Sequence, residues 1–223
     1  VKLYYTDDYT LENESSAGSN GSGISSEPGI ISSPDITASP EATPDKPTEE
    51  SFIYSDVSKD YWAYRYIKVL SEKKILLGDN DGAFRPEAPM TRAEFVSVLS
   101  RIWNAENNIQ SDEGDSLIFN GFENGEFRPN NFITREDICV ILDRFYEMLY
   151  GKSLGTESEM NLADEFSDYI EIDGYAKNSV KHLKEAGIIN GMEGRRFAPK
   201  ENAARSEVSK MTALCFFKDE FNN

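Results

Sequence analysis

Histidine and cysteine are nearly absent from this chain, which has one histidine and two cysteines among 223 residues. The histidine, His182, lies far along the sequence from both Cys139 and Cys215. A zinc site needs three or four such ligands close together, so we predict no metal site and no cofactor. Both cysteines fall on apolar helix faces and are expected to be buried free thiols, with a disulfide between them left open.

Positive charge is also scarce, because 23 basic residues face 40 acidic ones and the formal net charge is −17. Nucleic acid is therefore a poor partner. Local cationic pockets can still bind an acidic polymer, although the global repulsion should slow association at low salt. The sequence has no apolar run long enough to span a bilayer, so we predict no membrane insertion.

The first fifty residues lack core-forming side chains. Residues 12–50 are rich in Ser, Gly, Pro, Thr and acidic residues, a composition typical of a disordered linker. Residues 1–11 are interpreted as a possible remnant of an upstream domain. A start at Val1 without an apolar leader is expected of a mature or truncated piece. We therefore predict an exported domain upstream in the same polypeptide.

A twelve-residue segment occurs three times in the remaining chain. "FRPEAPMTRAEF" (84–95) is followed by "FRPNNFITREDI" (127–138) and "FAPKENAARSEV" (197–208). Each copy has an arginine eight residues after its phenylalanine and a glycine six residues before it. The arginines are Arg92, Arg135 and Arg205, and the glycines are Gly78, Gly121 and Gly191. Repetition at fixed spacing identifies a tandem-repeat protein.

Each copy predicts the start of a helix. In the first, Thr91 and Glu94 form a capping box, and Met90 and Phe95 form a hydrophobic staple across it. The second copy has Thr134 at the cap, whereas the third has alanine there. Arg92 then occupies the first helical position, where the helix dipole disfavours a cation by roughly 0.3–1 kcal/mol. A repeated unfavourable arginine requires an explanation.

The segments around the repeated motif predict helices with one apolar face. Residues 62–78 and 175–191 carry apolar residues at helical spacing before their glycines, and the segments after the arginines do the same. Each repeat is thus predicted to be an α-hairpin with a long glycine-containing loop. The middle copy departs from this, because its first helix looks deleted or degenerate before Gly121.

The stretch "SDVSKDYWAYRYIKVLSEKKILLGDNDGAFRPEAPMTRAEFVSVLSRI" resembles the S-layer homology domain. The resemblance implies three tandem repeats, at residues 51–104, 105–150 and 164–218, with a linker over 151–163. It implies an all-α fold in which helix–loop–helix repeats form a pseudo-threefold bundle after the disordered linker. It also implies grooves between repeats that hold a secondary cell-wall polysaccharide through pyruvate ketals on its amino sugars.

The resemblance suggests a reason for the arginines. A ketal carboxylate suits a bidentate guanidinium, and the adjacent helix start is expected to supply free N–H donors. Alternatively, Arg92 pairs with Glu94 or Asp56, or stacks on an aromatic ring, and only locks the repeat together. Because the middle copy lacks one wall, we predict one good groove, centred on Arg92 or Arg135.

Further residues are ligand candidates, each with a structural alternative. Trp62 either stacks on a sugar face or belongs to the core, and Asp56 either bonds a sugar hydroxyl or caps a helix, as does Asp168. The repeated glycines are expected to supply positive-φ turns open to a sugar. The full set of candidates is Arg92, Arg135, Arg205, Thr91, Thr134, Glu94, Gly78, Gly121, Gly191, Asp56 and Trp62.

The predicted function is a non-catalytic module that anchors an exported protein to a bacterial envelope by binding pyruvylated wall polysaccharide. The predicted location is extracellular, at the cell surface, S-layer or cell wall. Two alternatives remain: a surface-lattice module that self-associates without holding polysaccharide, and part of an enzyme acting on wall glycan. No carboxylate pair recurs in a defined cleft, which disfavours a glycoside hydrolase.

Overall fold

The computed structural model describes residues 54–107, 127–156 and 158–222. These residues are helical and contain no strand, which confirms the all-α prediction. The predicted remnant at 1–11, the linker at 12–50 and the segment before Gly121 lie outside the described residues. The α-helices are α1 (Tyr64–Glu72), α2 (Arg92–Glu106), α3 (Arg135–Tyr150), α4 (Leu162–Glu165), α5 (Lys177–Glu185) and α6 (Arg205–Phe216). Short 3₁₀ turns cover Tyr169–Glu171, Glu193–Arg195 and Lys218–Phe221.

The helices α2, α3 and α6 begin at the three repeated arginines, as predicted. Thr91 accepts from the N–H of Glu94, and the Glu94 carboxylate accepts from the N–H of Thr91, so the predicted capping box is present. Thr134 caps α3 in the same way through the N–H of Asp137. At α6 only the half of the box made by the Glu207 carboxylate can form, because Ala204 has no side-chain oxygen.

The apolar face predicted for each helix lies in one core. Ile67 and Leu70 of α1 are buried, as are Val180 and Leu183 of α5. Both members of each staple pair are buried as well, beginning with Met90 and Phe95. Each fully buried aliphatic side chain contributes roughly 1.5–3 kcal/mol relative to exposure, so these positions specify the inward face of every helix.

Closely packed helices come from different repeats, and the hairpin pairing predicted within repeats 1 and 3 is wrong. The first helix of repeat 1, α1, packs on α6 of repeat 3, and α5 of repeat 3 packs on α3 of repeat 2. The helices α3 and α6 also pack on each other. The reason is the long loop inside each repeat, which allows a first helix to bury its apolar face on a neighbouring repeat.

Three backbone hydrogen bonds join the repeats in a closed ring. The N–H of Met90 donates to Ala203 O at 3.0 Å, that of Ala203 to Ile133 O at 2.9 Å, and that of Ile133 to Met90 O at 2.9 Å. These are the staple positions that precede each capping residue. Equivalent residues that bond in a cycle give the pseudo-threefold arrangement that the family resemblance implies.

The two aspartates proposed as ligand contacts or helix caps hold loops. Both carboxylate oxygens of Asp56 accept backbone N–H groups, from Phe84 and Arg85, at 2.7 Å. Asp168 makes the same pair of bonds with residues 197 and 198 at 2.8 and 2.7 Å. Arg85 has a positive φ of 55°, which costs roughly 1–2 kcal/mol, and the two bonds offset that cost. Neither aspartate caps a helix with its side chain, and a sugar contact stays a prediction.

Burial of Asp56 by itself would raise the pKa of its carboxyl. The N–H donors of Phe84 and Arg85 outweigh this effect and lower the pKa below its usual value. The loop is therefore held most firmly when Asp56 is ionised.

The repeated glycines differ in why they need to be glycine. Gly191 has the predicted positive φ, 83°. At Gly78 that prediction is wrong, because its φ is not positive and the Tyr54 ring covers it instead. A Cβ at Gly78 would lie 2.4 Å from Tyr54 Cε1 and 2.5 Å from Ala83 O. Close packing therefore excludes a side chain there, and Gly121 lies outside the described residues.

The predicted repeat boundaries cross two elements. The helix α2 continues to Glu106, so the boundary after residue 104 falls in its last turn. The short helix α4 begins at Leu162, inside the predicted linker. Cys139 and Cys215 are free and buried, as predicted for thiols on apolar faces. Burial raises the pKa of both thiols, so neither is activated as a nucleophile.

Candidate functional site

Each repeated arginine reaches the loop of another repeat. The Nε of Arg92 donates to the carbonyl oxygen of Phe127 at 3.0 Å. The Nε of Arg135 donates to the carbonyl oxygen of Phe197 at 2.8 Å. Arg205 completes the cycle, because its Nε donates to Phe84 O at 2.8 Å. Every guanidinium also lies over the ring of the phenylalanine that it bonds, at 4.8–5.4 Å from the centroid.

The acidic residue at the third helical position of one repeat pairs with the arginine of another. Arg92 Nη1 lies 3.2 Å from Asp137 Oδ2, and Arg135 pairs with Glu207. Glu94 pairs with Arg205, at 3.4 Å. The arginines are about 93% buried, so these bonds stabilise the contacts between repeats. All three arginines therefore hold different repeats together, and their contact with a ligand stays a prediction.

The free helix-start donors expected beside Arg92 and Arg135 are already bonded within the protein. In α2 the N–H of Arg92 donates to Asn131 O, and the next N–H donates to Pro129 O. The third donates to the hydroxyl of Thr91. In α3 the equivalent donors bond Glu201 O, Pro199 O and Thr134. For α2 and α3 the prediction of free donors is therefore wrong, because the loop of another repeat and the capping threonine supply the acceptors.

One cleft brings together predicted residues from all three repeats. It has a cavity volume of about 190 Å³ and is lined by Trp62 of repeat 1, Arg135 of repeat 2 and Gly191 of repeat 3. We call it the Trp62 cleft. It lies at Arg135, one of the two positions where the sequence predicts a groove. Trp62 is 52% exposed, so its ring belongs to the surface of this cleft and not to the core.

A lysine that the sequence reasoning missed adds a second cation to the Trp62 cleft. Lys210 lines it together with Arg135 and Glu207. Burial lowers the pKa of Lys210, Arg135 lowers it further, and Glu207 acts in the opposite direction. The equivalent positions in the other repeats are Ser97 and Val140. Comparison of these three positions could have revealed Lys210 from the sequence, because only repeat 3 carries a cation there.

Arg135 keeps donors available toward the Trp62 cleft. Its Nε bonds Phe197 O and its Nη1 bonds Glu207. Within the described part of the chain, no acceptor bonds its Nη2. By contrast, the Nη2 of Arg205 donates to Leu77 O at 2.8 Å. Arg135 and Lys210 can therefore present N–H groups to a ligand carboxylate without breaking an existing bond.

At Arg92 the corresponding aromatic residue hydrogen-bonds the acid that pairs with the arginine. Tyr175 is the counterpart of Trp62 in repeat 3, and its hydroxyl donates to Asp137 Oδ1 at 2.9 Å, beside the ion pair with Arg92. The same hydroxyl lies 3.3 Å from Glu136 Oε1. Burial and the two carboxylates raise the pKa of Tyr175, so it stays a hydrogen-bond donor.

The position at Arg205 is only partly described. Glu94, Leu77 and Gly78 of repeat 1 lie on one side of it. The residue of repeat 2 at the spacing of Trp62 is Ala105, which is not aromatic, and residues 108–120, before Gly121, lie outside the described residues. Thr91, Thr134 and Glu94 serve as caps, as described above, and any further contact of theirs with a ligand is a prediction.

The described ranges contain neither a metal-binding cluster nor a membrane-spanning helix. No group of three or more His, Cys, Asp or Glu residues there could hold a metal ion. None of the helices in 54–107, 127–156 or 158–222 has the length and apolar character needed to cross a membrane.

A family model with the description S-layer homology domain matches the chain in three regions. The matched residues are 53–96, 115–139 and 165–209, which together make up about half of the sequence. The second matched region is the shortest. It belongs to the middle copy, whose first helix is expected to be deleted or degenerate.

Similar proteins differ widely in their names. The chain is 35% identical over 173 residues to an amylopullulanase of Thermoanaerobacterium thermosulfurigenes, covering 70% of this chain and 9% of that protein. It is 26% identical over 177 residues to an S-layer protein of Bacillus thuringiensis subsp. finitimus, covering 72% and 21%. It is 25% identical over 154 residues to a cellulosome-anchoring protein of Acetivibrio thermocellus, covering 59% and 33%. The chain thus spans a third or less of the length of these relatives.

Proposed function

The chain belongs to the S-layer homology domain family, and from this premise we propose that its Trp62 cleft binds a carboxylate-bearing sugar of a cell-wall polysaccharide. Domains of this family anchor proteins to the cell wall, and the chain has a cell-surface or cell-wall location. The proposal concerns the chemistry of the anchor: which cleft is used, which group of the polymer it recognises, and which residues make the contact.

The convergence of Trp62, Arg135 and Gly191 in one cleft carries the proposal. A pyruvate ketal has one planar carboxylate, which suits the open Nη2 of Arg135 together with the ammonium of Lys210. The ring of Trp62 offers an apolar face to a sugar. The volume of about 190 Å³ is below the ~300–1,000 Å³ of pockets that enclose a drug-sized ligand. The cleft therefore suits one substituent of a longer polymer.

Local charge accounts for anion binding by a protein with a formal charge of −17. Arg135 and Lys210 face one carboxylate, Glu207, across the cleft, and that carboxylate is already paired with Arg135. The cleft thus keeps a net positive charge in an acidic protein. Added salt should speed the association of the protein with an acidic wall polymer, because it screens the repulsion between them.

We infer that this chain is an anchor without catalytic activity. Glycoside hydrolysis normally needs two carboxyl groups about 5–9.5 Å apart across the scissile bond. Among the residues that the structure describes, Glu207 is the single carboxylate that lines the Trp62 cleft. The amylopullulanase relative is named as an enzyme, but the chain covers 9% of its length. The enzyme name is therefore consistent with a catalytic part elsewhere in that relative.

The test is co-sedimentation of the 223-residue chain with purified cell-wall sacculi, before and after mild acid removes pyruvate ketals. The variant is Lys210→Met, which keeps the apolar stem in the cleft and removes the charge. Its matched control is Lys152→Met, at an exposed lysine outside the cleft. We expect ketal-dependent binding that Lys210→Met weakens about tenfold or more, since a charged hydrogen bond contributes about 1.5–3 kcal/mol.

Two results would contradict the proposal. Equal binding to native and ketal-free sacculi would show that the carboxylate is not recognised. If the folded parent does not sediment with either preparation, the anchor role fails, and self-association in a surface lattice becomes the leading account.

A further inference from the structure

A second and larger cleft opens near the C-terminal ends of α3 and α6. Its cavity volume is about 400 Å³, and its walls include the aromatic rings of Tyr146, Tyr150 and Phe216. We call it the tyrosine cleft. None of the residues predicted from the repeated motif lines it, and the proposed anchor function does not use it.

The size of the tyrosine cleft is that of a ligand site. Ligand pockets typically enclose about 300–1,000 Å³ and combine aromatic walls with a few polar groups. At about 400 Å³ the cleft falls within that range, and it has roughly twice the volume of the Trp62 cleft. A volume of this size can hold a whole sugar ring, whereas the Trp62 cleft suits a substituent.

The aromatic rings form one cluster at the surface. The ring centroids of Tyr146 and Tyr150 are 4.7 Å apart, and those of Tyr150 and Phe216 are 6.5 Å apart. Tyr150 is 36% exposed, and the other two rings are partly buried. Tyrosine presents an apolar ring and a polar hydroxyl together, which matches a pyranose ring with its apolar C–H face and its rim of hydroxyls.

The polar groups of the tyrosine cleft include one cation and one anion, with Glu106 beside Tyr150. Lys218 and Asp219 both line it, and their charges cancel. Lys218 Nζ donates to Ala186 O at 2.8 Å, which leaves two of its three donors. Burial and the neighbouring Glu106 raise the pKa of Tyr150 to about 12, so its hydroxyl remains protonated at neutral pH. These groups can donate to and accept from sugar hydroxyls, but they do not select an anion.

The two clefts lie along one stripe of α6. Glu207, Lys210 and Met211 line the Trp62 cleft, and Leu214, Cys215 and Lys218 line the tyrosine cleft. This spacing of three and four residues follows one face of a helix into the turn beyond it. Ile188 forms a wall of both clefts. The clefts therefore lie on the same side of the bundle.

Tyr150 is specific to one repeat. Its counterparts at the same distance from the repeated arginine are Asn107 in repeat 1 and Glu220 in repeat 3. Tyr146, in contrast, has aromatic counterparts in Trp103 and Phe216. An aromatic ring retained in all three repeats is explained by packing, whereas the additional, half-exposed ring of Tyr150 is not required by the repeat plan.

We propose that the tyrosine cleft binds a neutral pyranose ring of the same wall polysaccharide whose carboxylate the Trp62 cleft holds. The inference rests on the proposed function for the source of the sugar and on the cleft itself for its chemistry. The Trp62 cleft selects a charged substituent, and the tyrosine cleft binds an uncharged ring through aromatic contact and hydroxyl hydrogen bonds. Both contacts on one side of the bundle increase the affinity for a long polymer.

The experiment is calorimetric titration of the 223-residue chain with soluble wall polysaccharide fragments from which mild acid has removed the ketals. The variants are Tyr150→Ala, which removes a wall, and Ala186→Phe, which fills the cleft without removing an aromatic group. The matched control is Tyr169→Ala, because Tyr169 is 39% exposed and lines neither cleft. Circular dichroism and urea unfolding show that each variant is folded.

The expected result is that the parent binds the neutral fragments, and that Tyr150→Ala and Ala186→Phe each weaken this binding about tenfold. Tyr169→Ala should leave it unchanged. If the parent ignores neutral fragments, or if folded Tyr150→Ala and Ala186→Phe bind them like the parent, the inference is overturned.

The titration also separates the two proposals. Loss of binding to ketal-bearing polymer in Lys210→Met, with no effect of either tyrosine-cleft variant on any polymer, would leave the proposed anchor chemistry intact and remove this inference. Tyr150-dependent binding of neutral fragments without any ketal dependence would support the tyrosine cleft and contradict the proposed function.

Discussion

Arg135 and Arg92 are the same residue of the same motif, yet they face different surroundings. Both donate from Nε to a phenylalanine carbonyl and pair with an acid of another repeat. Beside Arg135 lies an open cleft with the exposed ring of Trp62. Beside Arg92, Tyr175 bonds the paired carboxylate of Asp137. The motif therefore specifies the lock between repeats, and the aromatic residue of a third repeat lines a cleft at Arg135 and bonds the paired acid at Arg92.

The largest expected effect is a loss of stability when Arg92 or Arg135 is removed, because both arginines hold different repeats together. Arg92→Ala and Arg135→Ala should each lower the free energy of unfolding by about 3 kcal/mol, because each leaves a partly buried carboxylate and a loop carbonyl without their partner. Urea unfolding measures this loss. Arg144→Ala, at an exposed arginine of α3, should change the unfolding free energy by less than about 0.5 kcal/mol.

Wall co-sedimentation under conditions where the variants stay folded then distinguishes the two arginines. Arg135→Ala should lose binding to ketal-bearing sacculi, and Arg92→Ala should retain it. Equal loss in both variants would show that the open cleft is not what separates the two positions.

A smaller effect is expected from removing the aromatic residue that lies beside each arginine. Trp62 and Tyr175 are counterparts and are equally exposed, at 52% and 53%. Trp62→Ala should weaken binding to ketal-bearing sacculi about tenfold, or roughly 1.4 kcal/mol, because an aromatic face is lost. Tyr175→Ala should leave binding unchanged and lower stability by about 1–2 kcal/mol, because it removes the hydrogen bond to Asp137.

Co-sedimentation and urea unfolding measure the two quantities on the same protein preparations. A pattern in which Tyr175→Ala reduces binding as much as Trp62→Ala would contradict the assignment of a single cleft. Increased binding by Tyr175→Ala would instead show that Tyr175 closes a competent position at Arg92.

The smallest expected effect concerns the cap that one repeat lacks. Ala204→Thr restores the hydroxyl found at Thr91 and Thr134 and should raise the free energy of unfolding by about 1 kcal/mol, by giving the N–H of Glu207 an acceptor. Urea unfolding measures the gain, and Thr134→Ala should show a loss of similar size. No gain from Ala204→Thr would mean that the Glu207 N–H already has an equivalent partner.

Local features of the fold were predictable because they depend on neighbouring residues. The starts of α2 and α3, their caps and their staples follow from short motifs whose donors and acceptors lie within four residues. The buried faces of α1 and α5 follow from helical spacing. The pairing of α1 with α6 did not follow, because a long loop leaves open which repeat a first helix covers.

The candidate site was predictable only in part. Motif comparison predicted Arg135 and Gly191, the family resemblance predicted Trp62, and the three residues meet at the Trp62 cleft. Lys210 was missed because it lies outside the repeated segment. The double bonds that Asp56 makes to the Phe84 loop were missed because 28 residues separate these partners.

By itself the sequence determined that the chain is a three-copy repeat, that its copies begin helices at Arg92, Arg135 and Arg205, and which faces are apolar. Spacing and capping chemistry act within a few residues, so they can be read without a structure. Only the tertiary structure decided that the arginines hold different repeats together, that loop carbonyls use the helix-start donors, and that Trp62 lines a cleft whereas Tyr175 bonds Asp137. These outcomes depend on contacts between distant repeats, whose partners are selected by packing in three dimensions.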